Sequence, residues 1–179
     1  AALRPQADAS IVRARAVINP EGTERLVDIR RELGEAMEAG LGIYRSEEGM
    51  RECCDRLRAL QQRYTQLRVT DASTVFNTGW VGALELGFLL DVAESMAHSA
   101  LARRESRGSH QRIDGFEERD DDNYLKHSLA YYEPDGQPRL DYSDVTITRS
   151  PPGVRAYGGD LESQERKSQN LEGKEQVDG

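Results

Sequence analysis

Apolar residues recur every three or four positions from Phe76 to about Ala102, which predicts one long helix. They fall into two sets on different faces. The first set comprises Val81, Leu84, Phe88, Val92 and Met96. The second includes Leu86 and Leu90. Because a helix that is apolar around most of its circumference is enclosed by other elements, both sets are predicted to be buried.

Two shorter helical patterns precede this stretch. Asn19 followed by Pro20 predicts the start of a first helix, since Asn caps well and Pro favours the first helical position. Its apolar stripe is Leu26, Ile29, Leu33 and Met37, and Gly40 and Gly42 close it. Ser46 is the expected cap of a second helix, and residues 70–73 are expected to cap the third. The second helix carries a seam at heptad spacing, formed by Met50, Cys53, Leu57, Leu60, Tyr64 and Leu67.

These patterns predict a mainly α protein built as an antiparallel three-helix bundle, because short connections make successive helices run up, down and up. Beyond the bundle, Asp135-Gly136 between two aromatic-bearing runs predicts a β-hairpin, and residues 145–148 alternate like a further strand. The expected domains are a lead-in at 1–18, the bundle at 19–112, a small C-terminal extension containing the hairpin at 113–158, and a disordered tail at 159–179.

Composition narrows the possible partners. The net charge of −8 opposes the counterion release that drives nucleic-acid binding, so no DNA or RNA partner is expected. The longest apolar run, Phe88 to Leu90, is too short to cross a bilayer, so any membrane link passes through a partner. The sequence begins at Ala1 without an initiator Met, which fits either a processed start or a piece of a longer chain.

Signals for a cofactor are weak. Gly40-Leu41-Gly42 follows a helix rather than a strand and is expected to be a turn, not a dinucleotide-binding loop. Cys53 and Cys54 are neighbours on a helix and point about 100° apart, so they do not complete a tetrahedral metal site by themselves. We therefore expect no cofactor-binding, metal or catalytic residue in this chain.

The histidines leave one alternative open. His98 lies in mid-helix and is expected to be a structural residue. His110 and His127 flank a loop that contains Asp114 and the acidic run 120–122, where a carboxylate–histidine metal site is conceivable. A solvated acidic loop is the favoured interpretation. Ser106 and Ser109 lack the strand–turn–helix setting of an activated nucleophile.

The polar run 103–110 at the end of the third helix is the region where specificity is expected. Arginine forms bidentate pairs with carboxylates and tolerates burial when it is paired. Two interpretations remain: a helix end with surface charges, or a buried hydrogen-bonded junction that docks on another domain.

Six segments stand in a characteristic order along the chain: Phe76–Thr78, Leu84–Gly87, Ala93–Ala100, Glu105–Arg112, Arg119–His127 and Pro151–Gly159. Together they resemble the C-terminal region of the flavoprotein subunit of fumarate reductase and succinate dehydrogenase. The most specific is Glu105-Ser106-Arg107-Gly108 followed by His110, with an acidic run and Lys126-His127 behind it. The ending Ala156–Gly159 is closer to bacterial fumarate reductase.

The resemblance implies a structural part of a larger FAD-containing subunit that interconverts fumarate and succinate. The residues that bind flavin and dicarboxylate lie upstream in that family, so the chain alone is expected to be inactive. Implied partners are the upstream FAD and capping domains, an iron–sulfur subunit and membrane-anchor subunits, with a cytoplasmic location on the inner face of the cell membrane. The residues that match the structural motif are Glu105, Arg107, Gly108, His110, Arg112, Asp120, Asp121 and His127.

The alternative is a free-standing helical interaction module that uses the seam of the second helix as its partner surface. Exposure of Leu57, Leu60 and Leu67 would favour that function.

Overall fold

The computed structural model describes residues 3–133 and 137–149, and this part of the chain is mainly helical with a small β-hairpin. Its helices are α1 (Leu3–Ala16), α2 (Leu26–Leu41), α3 (Glu47–Tyr64), α4 (Thr78–Ala102) and α5 (Asp121–Tyr124). Its strands are β1 (Tyr44–Arg45), β2 (Gln111–Arg112), β3 (Lys126–Tyr131) and β4 (Arg139–Asp144). The chain divides into compact units at 1–145 and 146–179.

One hydrophobic core is shared by α2, α3 and α4, and each helix contributes fully buried residues such as Ile29, Leu57 and Leu86. The seam predicted for α3 is confirmed from Met50 to Leu60, since these apolar residues are buried and Tyr64 is partly buried against them. The helix ends at Tyr64, so the predicted continuation of the seam to Leu67 within the helix is wrong, although Leu67 itself is buried. Gly40 permits α2 to approach α3 closely, because a Cβ atom there would lie 2.5 Å from the Cβ atom of Cys53.

Ser46 caps α3 as predicted, since its Oγ atom accepts a hydrogen bond from the amide of Gly49 at 3.2 Å. The predicted start of the first helix at Asn19 and Pro20 is wrong, because these residues form a turn. The backbone of residues 23–24 pairs with residues 66–68, and this pairing delays the start of α2 until Leu26.

The cap of α4 is Asn77 rather than a residue of 70–73. The Oδ1 atom of Asn77 accepts from the amide of Trp80 at 2.8 Å. Its Nδ2 atom donates to the carbonyls of Asp71 and Ser73, at 2.8 and 3.0 Å. The turn at 71–73 therefore supports the cap without providing it.

The two apolar sets of α4 have different environments. The second set is buried together with small residues on the same face; these buried positions are Ala83, Leu86, Leu90, Ala93, Ala97 and Ala100. The prediction that the first set is buried is wrong, because α2 and α3 pack only on the face of α4 that carries the second set. Val81, Phe88, Val92 and Met96 are 52%, 67%, 55% and 52% exposed, and Leu84 is partly buried. We call Val81, Phe88, Val92 and Met96 the α4 outer face.

The lead-in segment forms α1, which has no buried residue among those described. It contacts the rest of the chain at its end, where the indole Nε1 atom of Trp80 donates to the carbonyl of Ala14 at 2.8 Å.

The predicted hairpin is confirmed by the antiparallel pairing of β3 with β4, in which Tyr131 lies opposite Arg139 and Lys126 opposite Asp144. The turn residues Asp135 and Gly136, and the predicted tail at 159–179, lie outside the described residues. The further strand predicted at 145–148 is wrong, since the sheet formed by β3 and β4 has two strands and offers these residues no ladder.

Replacing Leu86 with Ala is expected to lower the free energy of unfolding by roughly 2–5 kcal/mol, because the change leaves a cavity in the core shared by α2, α3 and α4. Urea denaturation followed by circular dichroism measures this loss. The matched control is Val92→Ala on the α4 outer face, for which we expect a change within about 0.5 kcal/mol. Equal losses for the two variants would contradict the assignment of the two faces.

Candidate functional site

The polar run after α4 is folded back by a tight turn. Arg107 and His110 exchange backbone hydrogen bonds at 2.9 and 3.1 Å, and Gly108 between them takes a left-handed conformation with φ of 61°. Position 108 therefore requires glycine, which adopts this left-handed conformation without steric cost. The chain then continues as β2, which pairs in parallel with β1 and so lies against the loop between α2 and α3.

Glu105 is the buried centre of the run, with 0% exposure. Its Oε1 atom accepts from Arg107 Nε at 2.8 Å and from Arg103 Nη1. Its Oε2 atom accepts from Arg107 Nη2 at 2.9 Å and from the amide of Asp120 at 2.8 Å. Burial alone would raise the pKa of Glu105, but the bonds from Arg107, Asp120 and Arg103 lower it below its ordinary value, so the carboxylate is ionised.

Arg112 is the second buried charge, and its guanidinium forms a bidentate pair with Asp114 at 2.7 Å for both bonds. Its Nη1 atom donates to the carbonyl of Arg103 at 3.0 Å, and its guanidinium lies 4.9 Å from the ring centre of Phe116. Asp114 Oδ2 also accepts from the amide of Glu47 in the first turn of α3, where the helix dipole favours a carboxylate. The bond from Arg112 lowers the pKa of Asp114.

His110 joins the run to the other side of the parallel strand pair. Its Nδ1 atom lies 2.9 Å from Arg45 Nη1, and its Nε2 atom lies 3.2 Å from the carbonyl of Arg103. Because a guanidinium can only donate, Nδ1 accepts and Nε2 carries the proton. Burial, together with the neighbouring arginines, lowers the pKa of His110, so the ring is neutral near pH 7.

The acidic loop is attached to the same group of side chains. Asp121 accepts from Arg107 at 2.6 Å and from Arg119 at 2.7 Å. Asp120 caps α5 through a bond from the amide of Asn123 at 3.0 Å. These acids are therefore engaged by arginines and backbone amides. We call the whole set the junction cluster; it comprises Arg45, Arg103, Glu105, Ser106, Arg107, His110, Arg112, Asp114, Asp120 and Asp121.

The polar groups of the junction cluster bond to one another and to the nearby backbone. Among the described residues, no buried side-chain nitrogen or oxygen lacks a hydrogen-bond partner. The Oγ atom of Ser106, which sequence reasoning weighed as a nucleophile, donates to the carbonyl of Phe116 at 2.9 Å and accepts from the amide of Arg112 at 2.8 Å. The cluster thus connects the end of α4, the start of α3 and the loop that precedes α5.

A family model described as "Fumarate reductase flavoprotein C-term" matches residues 30–157. The chain belongs to this family. The fumarate reductase flavoprotein subunit of Escherichia coli strain K12 is 49% identical over 180 residues, which cover 100% of this chain and 30% of that relative. The succinate dehydrogenase flavoprotein subunit of Coxiella burnetii is 39% identical over 124 residues, 69% of this chain and 21% of that relative.

A solved structure of E. coli quinol fumarate reductase agrees with a TM-score of 0.80 at 52% identity, covering 87% of this chain and 27% of that chain. The resemblance found in the sequence is therefore confirmed, including its nearer relation to fumarate reductase. The chain spans about 30% of the length of the E. coli relative and corresponds to the C-terminal domain of such flavoprotein subunits.

Most of the residues that matched the family motif meet in the junction cluster, with Gly108 forming its turn. His127 is the exception: it lies exposed on β3, opposite Ser143, and takes no part in the hydrogen bonds of the cluster. Sequence reasoning missed the role of Arg45 and of Phe116. The former contacts His110 across 65 positions, and no local pattern signals so distant a contact.

The other candidates for chemistry also lie in the described part of the chain. His98 is largely buried on α4, and burial lowers its pKa. Cys53 and Cys54 are buried free thiols, and burial raises the pKa of Cys54 to about 11. Within residues 3–133 and 137–149, no three His, Cys, Asp or Glu side chains form a group that could hold a metal ion.

Replacing Glu105 with Gln is expected to destabilise the protein by about 3 kcal/mol, because the change leaves the partly buried Arg103 without a carboxylate partner and Arg107 with Asp121 alone. Thermal and urea denaturation measure the loss. The control is Glu85→Gln on the exposed side of α4, which should leave the free energy of unfolding within about 0.5 kcal/mol of the parent value. Equal effects at the two positions would argue against the role given to Glu105.

Acidification from pH 7 to 5 is expected to lower the free energy of unfolding. The pKa of His110 is below its ordinary value when folded, so the unfolded chain binds the proton first as pH falls through about 6.5. Stability is therefore lost from that pH down to the folded pKa; His98 acts with the same sign. Urea denaturation at a series of pH values should show a shallower loss for His110→Gln. A parent slope in His110→Gln would contradict this role.

Proposed function

We propose that this chain acts as the C-terminal structural part of a fumarate reductase flavoprotein subunit. In this proposal, the complete subunit binds FAD and uses it to pass a hydride to fumarate, or runs the reverse reaction from succinate. The residues for that chemistry lie on the upstream part, and the present chain braces the FAD and capping domains. The support is the name and length of the relatives, about 70% of which lies outside the match.

The observation that carries the structural role is the junction cluster. It is the place where the family motif Glu105-Ser106-Arg107-Gly108 meets the acidic loop, and most of its charges are paired with one another. A site for acid–base chemistry needs a group that is free to exchange a proton with substrate. Glu105 and Arg112 instead hold distant segments together, which suits a brace.

The finer architecture belongs to the same proposal. We infer an antiparallel three-helix bundle over residues 19–112, followed by the extension at 113–158. The short connection of residues 42–46 between α2 and α3 and the common core of α2, α3 and α4 support this arrangement. A rigid bundle joined to a hairpin extension by the junction cluster would resist bending where it meets the upstream domains.

The proposed partners are the upstream FAD and capping domains, an iron–sulfur subunit and membrane-anchor subunits, at the inner face of the cell membrane. The similar solved structure is that of a quinol fumarate reductase, and its use of a quinol supports a chain of electron carriers in the complete assembly. In the described part of this chain, the helices are too short or too polar to cross a membrane.

The alternative function, a free-standing interaction module, required the leucines of the α3 seam to be exposed, and they are not. Leu57, Leu60 and Leu67, which would form its partner surface, are buried against α2 and α4 within one chain. No described residue of that seam remains available for a separate partner on the scale of a coiled coil.

The proposal predicts that the isolated chain neither binds flavin nor reduces fumarate, whereas the complete subunit does both. Flavin absorbance and oxidation of a reduced viologen dye by fumarate measure the two properties. The proposal also predicts that Glu105→Gln in the complete subunit lowers the melting temperature while the folded enzyme keeps its KM for fumarate. A yellow isolated chain with turnover would overturn the proposal, and a raised KM at full folding would overturn the bracing role of Glu105.

A further inference from the structure

We propose that a surface depression between the start of α3 and the end of α4 is a binding site for small organic monocarboxylates. The depression has a volume of about 440 Å³, within the range of pockets that accept small ligands. Side chains from α3, α4, α5 and β4 line it, and none of them belongs to the junction cluster. This inference goes beyond the proposed function and does not depend on it.

Arg104 supplies the positive charge of the site. Among residues 3–133 and 137–149, its guanidinium has no carboxylate partner and donates no hydrogen bond. It lies 5.8 Å from the ring centre of Phe116, a contact that orients the guanidinium while leaving its N–H groups unengaged. Arg51 also lines the depression, but it is occupied, since its Nε and Nη2 atoms donate to Glu47 at 3.0 and 2.6 Å. The available charge is thus one guanidinium, which matches a carboxylate because two parallel N–H groups bind its two oxygens.

His98 is the second polar group of the site, and it is only 9% exposed. Within the described part of the chain, neither of its ring nitrogens has a hydrogen-bond partner. No described side-chain nitrogen is both fully buried and unpartnered, so the nitrogens of His98 are open to the depression that the ring lines. Burial lowers the pKa of His98, which keeps the ring neutral near pH 7 with one N–H to donate. A largely buried N–H without a partner is costly, and a bound carboxylate that accepts from it removes that cost.

The remaining side chains of the depression favour an organic monocarboxylate over other anions. Leu101 and Leu140 are partly buried and offer apolar surface, and Tyr124 adds an aromatic ring. An apolar body attached to the carboxylate would displace water from these side chains, which is favourable. Inorganic phosphate has no such body. The carboxylate of Glu47, which also lines the depression, repels a second negative charge and so disfavours dicarboxylates.

The experiment titrates the complete subunit with 4-fluorobenzoate and follows the ligand by fluorine NMR. We expect saturable binding that benzoate displaces. Arg104→Gln should weaken this binding about tenfold or more, because the change removes a charge-assisted pair at an exposed position. Arg104→Lys should recover only part of the affinity, since an ammonium does not form the bidentate pair. The control Arg30→Gln removes the same charge from an exposed position on α2 and should leave the affinity unchanged.

A second variant separates binding from a structural role of His98. His98→Leu removes the ring N–H and keeps a side chain of similar size, so it should weaken 4-fluorobenzoate binding several-fold. Because the ring has no hydrogen bond to lose within the described residues, the melting temperature of the complete subunit should stay the same or rise. A lower melting temperature with unchanged affinity would make His98 a structural residue and overturn its place in the site.

Three outcomes would overturn the inference as a whole. They are the absence of saturable binding to the complete subunit, equal affinities of the parent and Arg104→Gln, and displacement of 4-fluorobenzoate by inorganic phosphate as readily as by benzoate. Equal affinities would mean that the probe binds elsewhere on the subunit. Flavin content and fumarate reduction, measured on the same preparations, test the proposed function separately, so an active subunit that fails to bind the probe contradicts this inference alone.

Discussion

The structure depends on one costly constraint: a carboxylate that is fully removed from water must be compensated on every side. Glu105 meets this constraint with two arginines and one backbone amide. Each donor comes from a different position along the chain, so satisfying the carboxylate also sets the path of the loop that carries Asp120. A neutral side chain of the same size would remove the electrostatic penalty, but it would also remove the reason for these segments to meet.

Polar side-chain contacts also stabilise the pair formed by β1 and β2, although each strand has only two residues. Two residues of parallel sheet contribute few backbone bonds, yet β1 and β2 are reinforced by side chains on both sides. Arg45 reaches His110 on one side. On the other side Arg112 pairs with Asp114, which in turn accepts from the amide of Glu47 in the first turn of α3. The helical core and the extension are thus joined by a polar region rather than by a continuous apolar one.

Sequence reasoning captured the features that depend on local periodicity and capping. It found the seam of α3, the Ser46 cap, the long helix α4 and the hairpin, because each leaves a short-range pattern. It placed the start of α2 wrongly because the pairing of residues 23–24 with 66–68 is a tertiary effect. It misjudged the α4 outer face because apolar character shows that a surface avoids water but not which molecule covers it. The motif residues were identified from the family pattern, whereas their contacts with Arg45 required coordinates.

The close approach of α2 to α3 at Gly40 has a consequence for the two adjacent thiols. Cys53 and Cys54 lie in the core, and the pKa of Cys54 is raised to about 11, so the reactive thiolate is scarce as well as inaccessible. Alkylating reagents can reach these sulfur atoms only when the helices separate. The rate at which such a reagent modifies Cys53 and Cys54 therefore reports how often this core opens by local unfolding.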